Sequence, residues 1–315
     1  MKKIFGILLR IVISASIILF LLRRIELPLM LKIIRGLDLK LFIWANLLFL
    51  SLYVLGVYRW QMLIRAFNLK PPISRVITAY CGGLFFNTFL PSTIGGDVFR
   101  TMDLFAHTRQ GSSIVATVFL DRLSGFIALM SIAIFSLLVG YRFINDETVI
   151  LSVVILFLLF LAIFTLVFSR RLFKRILFLF SFVHLKAFSE RIHRFQSAII
   201  SLRAKQAVLI KNLLISFLIQ GGNIIVFYLF ARSLHIDLEL IYFFLLIPVI
   251  GAISTLPISI GGLGLRDSSS VFYFGRFGVA HEAALSLSLI IFALTIIVGI
   301  FGGVVYVITL HSRRL

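Results

Sequence analysis

Six long apolar runs dictate what this chain can become: residues 4–22, 39–57, 114–140, 149–168, 208–231 and 283–309. Each approaches or exceeds the roughly 20 apolar residues that a helix needs to cross the hydrocarbon core of a bilayer. No water is available there to satisfy exposed backbone N–H and C=O groups, so irregular backbone survives at that depth only where protein or a water-filled cavity covers it. The fold class that follows is all-α, a polytopic membrane bundle of six to eight spans. Residues 1–315 read as a single membrane domain. Lys2-Lys3 before the first run and Arg23-Arg24 after it frame an uncleaved span rather than a signal peptide, since no small-x-small site closes it.

Within these surroundings one short segment occurs twice. Leu90-Pro91-Ser92-Thr93-Ile94-Gly95-Gly96-Asp97-Val98-Phe99-Arg100 returns as Leu256-Pro257-Ile258-Ser259-Ile260-Gly261-Gly262-Leu263-Gly264-Leu265-Arg266, 166 positions later from Pro91 to Pro257 and from Arg100 to Arg266. Each copy sets a proline, a glycine pair and an arginine at the end of an apolar stretch, residues 78–90 and 241–256. About 13 helical residues cover only about 20 Å, so the first stretch is short for a crossing. Pro248 and Gly251 interrupt the second. Both read as re-entrant or broken helices, and paired broken helices in corresponding halves point to a substrate site between them.

Charge distribution assigns the partner class and the orientation. Lys and Arg total 31 against 12 acidic residues, a formal charge of +19, at a mean hydropathy of +1.12. Because the cations cluster between apolar runs, they read as positive-inside loops and anionic-lipid contacts, not as a nucleic-acid surface. Residues 170–205 hold nine Lys and Arg against Glu190 alone, so the basic segment 169–206 belongs in the cytoplasm. Residues 141–148 and 233–240, with Asp146, Glu147, Asp237 and Glu239, belong outside. This threading puts both termini inside an inner (cytoplasmic) cell membrane and inverts the repeats, the first dipping from the cytoplasm and the second from outside. The loop 23–40 conflicts with it, being external yet rich in Arg and Lys. The apolar stretch 176–185 has the length of an interfacial helix, with a solvated linker as the alternative.

The repeats carry the candidate binding chemistry. Gly95, Gly96, Gly261 and Gly262 allow sharp bends and close approach. Helices starting after them would offer free N–H groups to an anion. Arg100 and Arg266 suit a lipid phosphate, because guanidinium donates in a planar fork and stays charged. Asn87 and Thr88 precede the first break, Ser254 and Thr255 the second, positioned to satisfy freed backbone groups or line a cavity. Asp97 is placed as a counter-ion for Arg100, three residues on, or as a proton carrier. Asp121, Arg122 and Asp267 extend the charge network, and Asp121 and Arg122, being adjacent, need separate partners. A purely structural interhelical network remains the alternative for that pair. Small-residue spacing for helix association is not prominent.

From Asn87-Thr88-Phe89-Leu90-Pro91 through Gly95-Gly96-Asp97 and Arg100, then Asp121-Arg122, then the second copy through Arg266-Asp267, to Phe277-Gly278-Val279, the chain resembles the flippase-like membrane domain of lysylphosphatidylglycerol synthases. Asp121 and Asp267 stand where that family usually has Glu, keeping the charge with a shorter reach. The resemblance implies a lipid-handling bundle. With no soluble aminoacyl-transferase domain among these 315 residues, synthesis of lysylphosphatidylglycerol by this chain is not expected.

Catalytic and cofactor readings find little support. His107, His184, His193, His235, His281 and His311 show no metal-ligand spacing, Cys81 is the single cysteine, and no Walker motif is present. No cofactor, no metal site and no catalytic residue is expected. Three functions stay open. One is a translocase for an anionic, aminoacylated or polyprenyl-phosphate lipid, with Arg100 and Arg266 binding phosphate in turn and Asp97 or Asp267 coupling to protons. The second is a membrane-embedded transferase with Asp97 as its base, a reading encouraged by the resemblance, since that domain also accompanies glycosyltransferases. The third is a partner subunit of a lipid-modifying enzyme.

Overall fold

The computed structural model describes residues 26–90, 95–140, 146–168, 205–256, 259 and 261–311. Among them are ten helices and no strand: α1 (Leu27–Arg35), α2 (Leu39–Ala66), α3 (Ile73–Phe89), α4 (Gly95–Thr108), α5 (Gly111–Gly140), α6 (Glu147–Phe168), α7 (Gln206–Ser233), α8 (Leu240–Ser254), α9 (Leu265–Gly275) and α10 (His281–His311). Five of them, α2, α5, α6, α7 and α10, are long and apolar enough to cross a membrane. The expected first span at 4–22, the stretch 176–185 and both chain termini lie outside the described residues.

The duplication reaches well beyond the sequence motif. Helices α2 and α7 are both 28 residues long and begin 167 positions apart; α3 and α8 also begin 167 apart, and α4 and α9, like α5 and α10, begin 170 apart. Two four-helix units therefore repeat in order. The first of each, α2 and α7, lie antiparallel. At one end Asp38 donates its backbone N–H to Ser233 O at 2.8 Å, and at the other Lys205 Nζ donates to Ala66 O at 2.6 Å. The units are inverted relative to each other, as the loop charges require.

Each α3–α4 and α8–α9 pair folds back on itself. Gly83 faces Gly96, and Arg75 Nη2 meets Asp103 Oδ1 at 2.8 Å nearer the open end. In the second hairpin Ser254 lies against Gly262, and Phe243 stacks near Phe274 with ring centroids 5.3 Å apart. The hairpins enter from opposite ends and their tips meet: a Cβ on Gly261 would lie 3.4 Å from Thr88 O. Helix α3 begins five residues earlier than the apolar stretch suggested. Its 17 residues span about 26 Å, because Arg75 in the first turn finds its counter-charge on α4.

Two other expectations are corrected. The basic stretch 23–40 is not simply a loop: α1 turns Met30 and Ile33 toward the bundle and Lys32 and Arg35 to solvent. The helix is thus amphipathic, with an apolar face on the bundle and a basic face exposed. Small residues also do pack helices. Gly299 and Gly303, four apart, with Gly302 between them, bring α10 onto α3, where added Cβ atoms would lie 2.7 Å from Thr88 Oγ1 and 2.6 Å from Phe85 and from Cys81 O.

Candidate functional site

Charged side chains from three helices converge where the first hairpin tip packs into the bundle. Asp97 and Arg100, one helical turn apart on α4, pair at 3.0 Å. On α5 the adjacent Asp121 and Arg122 diverge to separate partners. Asp121 accepts from Arg59 Nε of α2 at 2.8 Å and from Arg100 Nη2 at 3.1 Å, while Arg122 Nε meets Asp97 at 2.6 Å. Arg59 also donates to Ser216 of α7 at 2.9 Å. The result is an alternating chain, Arg59–Asp121–Arg100–Asp97–Arg122, in which each carboxylate holds two guanidiniums. Asp121, Arg100 and Asp97 are buried, and burying charges this deeply is tolerable only with such pairing.

Arg100 sits at the centre of that chain. Its guanidinium lies 4.8 Å from the Trp60 ring centroid and 5.9 Å from that of Tyr80, an arrangement that favours a cation. Its Nε has no hydrogen-bond partner among the described residues. Arg266, its counterpart in the repeat, donates to Ser288 at 2.9 Å, meets Asp267 at 3.1 Å and lies 5.0 Å from the Phe292 ring centroid. Both arginines line one cavity of about 400 Å³. The two halves thus share a chamber instead of holding separate pockets.

The duplicated motif folds differently in its two settings. Gly95 and Gly96 already belong to α4, and Gly96 is needed for proximity: a Cβ there would stand 2.0 Å from Gly83 O. Gly261, Gly262 and Gly264 instead adopt left-handed backbone, with φ of 56°, 77° and 84°, and delay the helix to Leu265. Side chains fill positions at the two helix starts expected to await an anion. Asn87 Oδ1 accepts from Gly96 N–H at 2.9 Å, and Asp267 Oδ2 accepts from Gly264 N–H at 2.8 Å. Asn87 also lines the cavity. Thr88, Ser254 and Thr255 bond back to carbonyls of their own helices. Pro91 and Pro257 lie outside the described residues.

Sequence reading missed four polar lining residues: Arg59, Tyr80, Gln220 and Asn223. Arg59 escaped because the second span was ended at residue 57, two short, although an arginine inside a membrane helix is itself a signal of function. Gln220 and Asn223 flank a glycine pair in the middle of α7, a polar island that could have been noticed. Beside the chamber runs a groove of about 540 Å³ between α4 and α5, lined by Val98, Met102, Val115 and Val118. Asp97, Arg122, Phe126 and Thr255 border both spaces. Val98, Met102 and Val115 are exposed on the outer surface of the bundle, so the groove opens sideways.

A family model describing the transmembrane region of lysylphosphatidylglycerol synthases matches residues 7–303. No curated protein matches the chain. The chain therefore belongs to that family, a membrane domain associated with lipid modification or translocation, and is a multi-pass membrane protein.

Proposed function

We propose, starting from that family membership, that this protein moves a phosphate-bearing lipid between leaflets. The carrying observation is the junction of a guanidinium-rich chamber with an apolar groove that opens laterally. A headgroup phosphate suits the chamber, since arginine forks match its oxygens, and an acyl chain suits the groove, whose wall away from the chamber is the apolar row Val98, Met102, Val115 and Val118. Arg100 and Arg266 are the phosphate ligands, each presented by a hairpin that enters from its own side. Inverted repeats around one site are the architecture of alternating access, in which one unit rocks against the other.

Asp97 is the coupling carboxylate in this reading. Protonating it removes the charge that holds Arg122 and part of what holds Arg100, freeing guanidinium donors for phosphate. Asp267 has a structural assignment instead, because it is fully buried and caps α9 at Gly264 while bracing Arg266. The end of the bundle carrying Ala66 and Lys205 faces the cytoplasm, by its connection to the basic segment 169–206, and the protein resides in the inner (cytoplasmic) membrane with both termini inside. Anionic membrane lipids are its partners, and a lipid-modifying enzyme that supplies the lipid is a further one.

The test is transbilayer movement of fluorescent lipids in proteoliposomes, with and without an imposed proton gradient. Wild-type protein moves phosphate lipids, Arg100→Ala and Arg266→Ala each abolish most of the movement, and the double variant is no worse than the stronger single one. Absence of movement for every lipid tried would refute the translocase reading and leave the transferase or partner-subunit alternatives.

A further inference from the structure

The chamber is lopsided, although the two halves of the molecule are duplicates. All five members of the charge chain come from the first unit: Arg59 from α2, Asp97 and Arg100 from α4, Asp121 and Arg122 from α5. Helices α7 and α8 of the second unit bring no charge to the chamber. They contribute Gln220, Asn223 and Gly251, with Phe227, Ile247 and Ile250 as apolar neighbours. At the register of 167 residues that relates α2 to α7 and α3 to α8, Gln220 corresponds to Tyr53, Asn223 to Gly56 and Gly251 to Leu84. The repeated fold therefore requires neither amide. Both interrupt the apolar middle of a span, where polar side chains are expensive and serve function.

The second unit also supplies the room. Leu84 lines the chamber from α3, whereas its counterpart Gly251 carries no side chain, and a Cβ there would meet nothing within 4 Å. Inside a helix, with no neighbour in the way, packing gives no reason for a glycine. Gln220 donates from Nε2 to Gly125 O at 3.3 Å, and its carbonyl oxygen has no partner among the described residues. The Asn223 carboxamide lines the chamber and makes no hydrogen bond among the described residues. A Cβ on Gly125 would lie 3.5 Å from Gln220 Nε2 and 3.7 Å from Arg59 Nη1, so the amide wall begins where the charge chain ends. An unmet carbonyl set among apolar side chains favours a ligand that brings a hydrogen-bond donor. Hydroxyl and ammonium groups both bring one; a methyl ester or a trimethylammonium group does not.

We infer that Gln220, Asn223 and the space over Gly251 form a second subsite of the chamber, which takes the part of the headgroup beyond the phosphate and selects groups that carry O–H or N–H donors. The inference rests on reading the chamber as a headgroup site. It also orients the lipid, with the phosphate toward the arginines of α4 and α9 and its substituent toward α7 and α8.

Lipid pairs of matched charge separate the donor from the charge. Full-length protein in neutral detergent is offered phosphatidylglycerol with phosphatidylmethanol, both anionic, and phosphatidylethanolamine with phosphatidylcholine, both zwitterionic. Retained lipid is counted by native mass spectrometry. The donor-bearing member is expected to be retained about fivefold over its partner, the worth of one hydrogen bond that the partner cannot make. A preference confined to one pair assigns the donor, hydroxyl for the first and ammonium for the second. Asn223→Leu and Gln220→Leu each narrow the ratio and leave phosphatidylmethanol unchanged. Gly251→Ala binds as wild type, while Gly251→Phe fills the subsite and weakens the donor-bearing lipids severalfold; retained phosphatidylmethanol shows that the variant is folded. Equal retention within both pairs overturns the inference, as does a loss of phosphatidylmethanol matching that of phosphatidylglycerol in every variant. If the preference holds but no lipid crosses a proteoliposome membrane, the translocase reading fails and this one stands; movement without preference gives the reverse.

Discussion

Replacing Gly96 by alanine tests how the first hairpin is built. The new Cβ would lie 2.0 Å from Gly83 O and 2.6 Å from Asn87 Cγ, and the first of these is backbone that cannot swing aside. Restoring ordinary contact at 3.4 Å requires the α3 and α4 backbones to part by about 1.4 Å. Overpacking of this kind costs about 1–3 kcal/mol, and the Gly96–Asn87 hydrogen bond lost with it about another 1. Alanine's helical advantage over glycine returns about 0.5–1 kcal/mol, leaving a net loss of about 2 kcal/mol. Gly221 on α7 provides the control, since a Cβ there meets nothing within 4 Å, and Gly221→Ala should be neutral or stabilising by up to about 1 kcal/mol. Thermal unfolding of both variants in detergent, followed by tryptophan fluorescence, should separate their midpoints by about 4–6 °C at roughly 2 °C per kcal/mol. Equal midpoints would refute close backbone packing at this tip. They would also remove the reason given for a glycine where φ is ordinary.

Asp121→Asn leaves Arg59 and Arg100 short of a shared counter-charge inside the bundle. A loss of about 3–5 kcal/mol is expected, and Arg59→Met combined with it should cost less than the sum of the two, read by chemical denaturation in a double-variant cycle. At the opposite end of the bundle from Lys205, Asp146 is held below the ordinary carboxylate pKa. Partial burial works against the shift, and the Arg276 pairing and the Val149 amide outweigh it. Its contribution is therefore complete above the unfolded carboxylate pKa of about 4 and is lost as pH falls through the lower folded value; hydrogen exchange at the start of α6 should accelerate over that acid range in wild type and not in Asp146→Asn. With Cys81 replaced by alanine, a cysteine probe introduced by Asp237→Cys should react with an impermeant reagent from outside intact cells, and one introduced by Lys70→Cys should not. The reverse pattern would turn the molecule over.

Much of this architecture was legible in the chain. Helices α2, α5, α6, α7 and α10 follow the long apolar runs, because a buried backbone in hydrocarbon has few options other than the helix. Residue types also announced the broken helices, since proline, paired glycines and arginine in apolar surroundings conflict with a plain crossing, and loop charge alone gave their inversion. What periodicity and charge cannot show is which side chains meet across 21 positions, as Arg100 and Asp121 do, or across 62, as Arg59 and Asp121 do. Asp121 might have paired with any cation; packing of α2 beside α5 brought it Arg59, and the short α3–α4 tip brought it Arg100.

The sequence by itself determined the class, the five described spans and the pair of arginines at the breaks, since these depend on local composition and on the cost of exposing polar backbone to lipid. The tertiary structure alone decided that both arginines serve one chamber, and that carboxylates on α4 and α5 are spent on guanidiniums while amides on α7 stay open. It also decided that identical glycine pairs do different work, close approach at Gly96 and left-handed backbone at Gly261 and Gly262. The physical reason is the same in each case. A local pattern sets what a segment can do, and its neighbours, brought close by packing, select which of those possibilities is used.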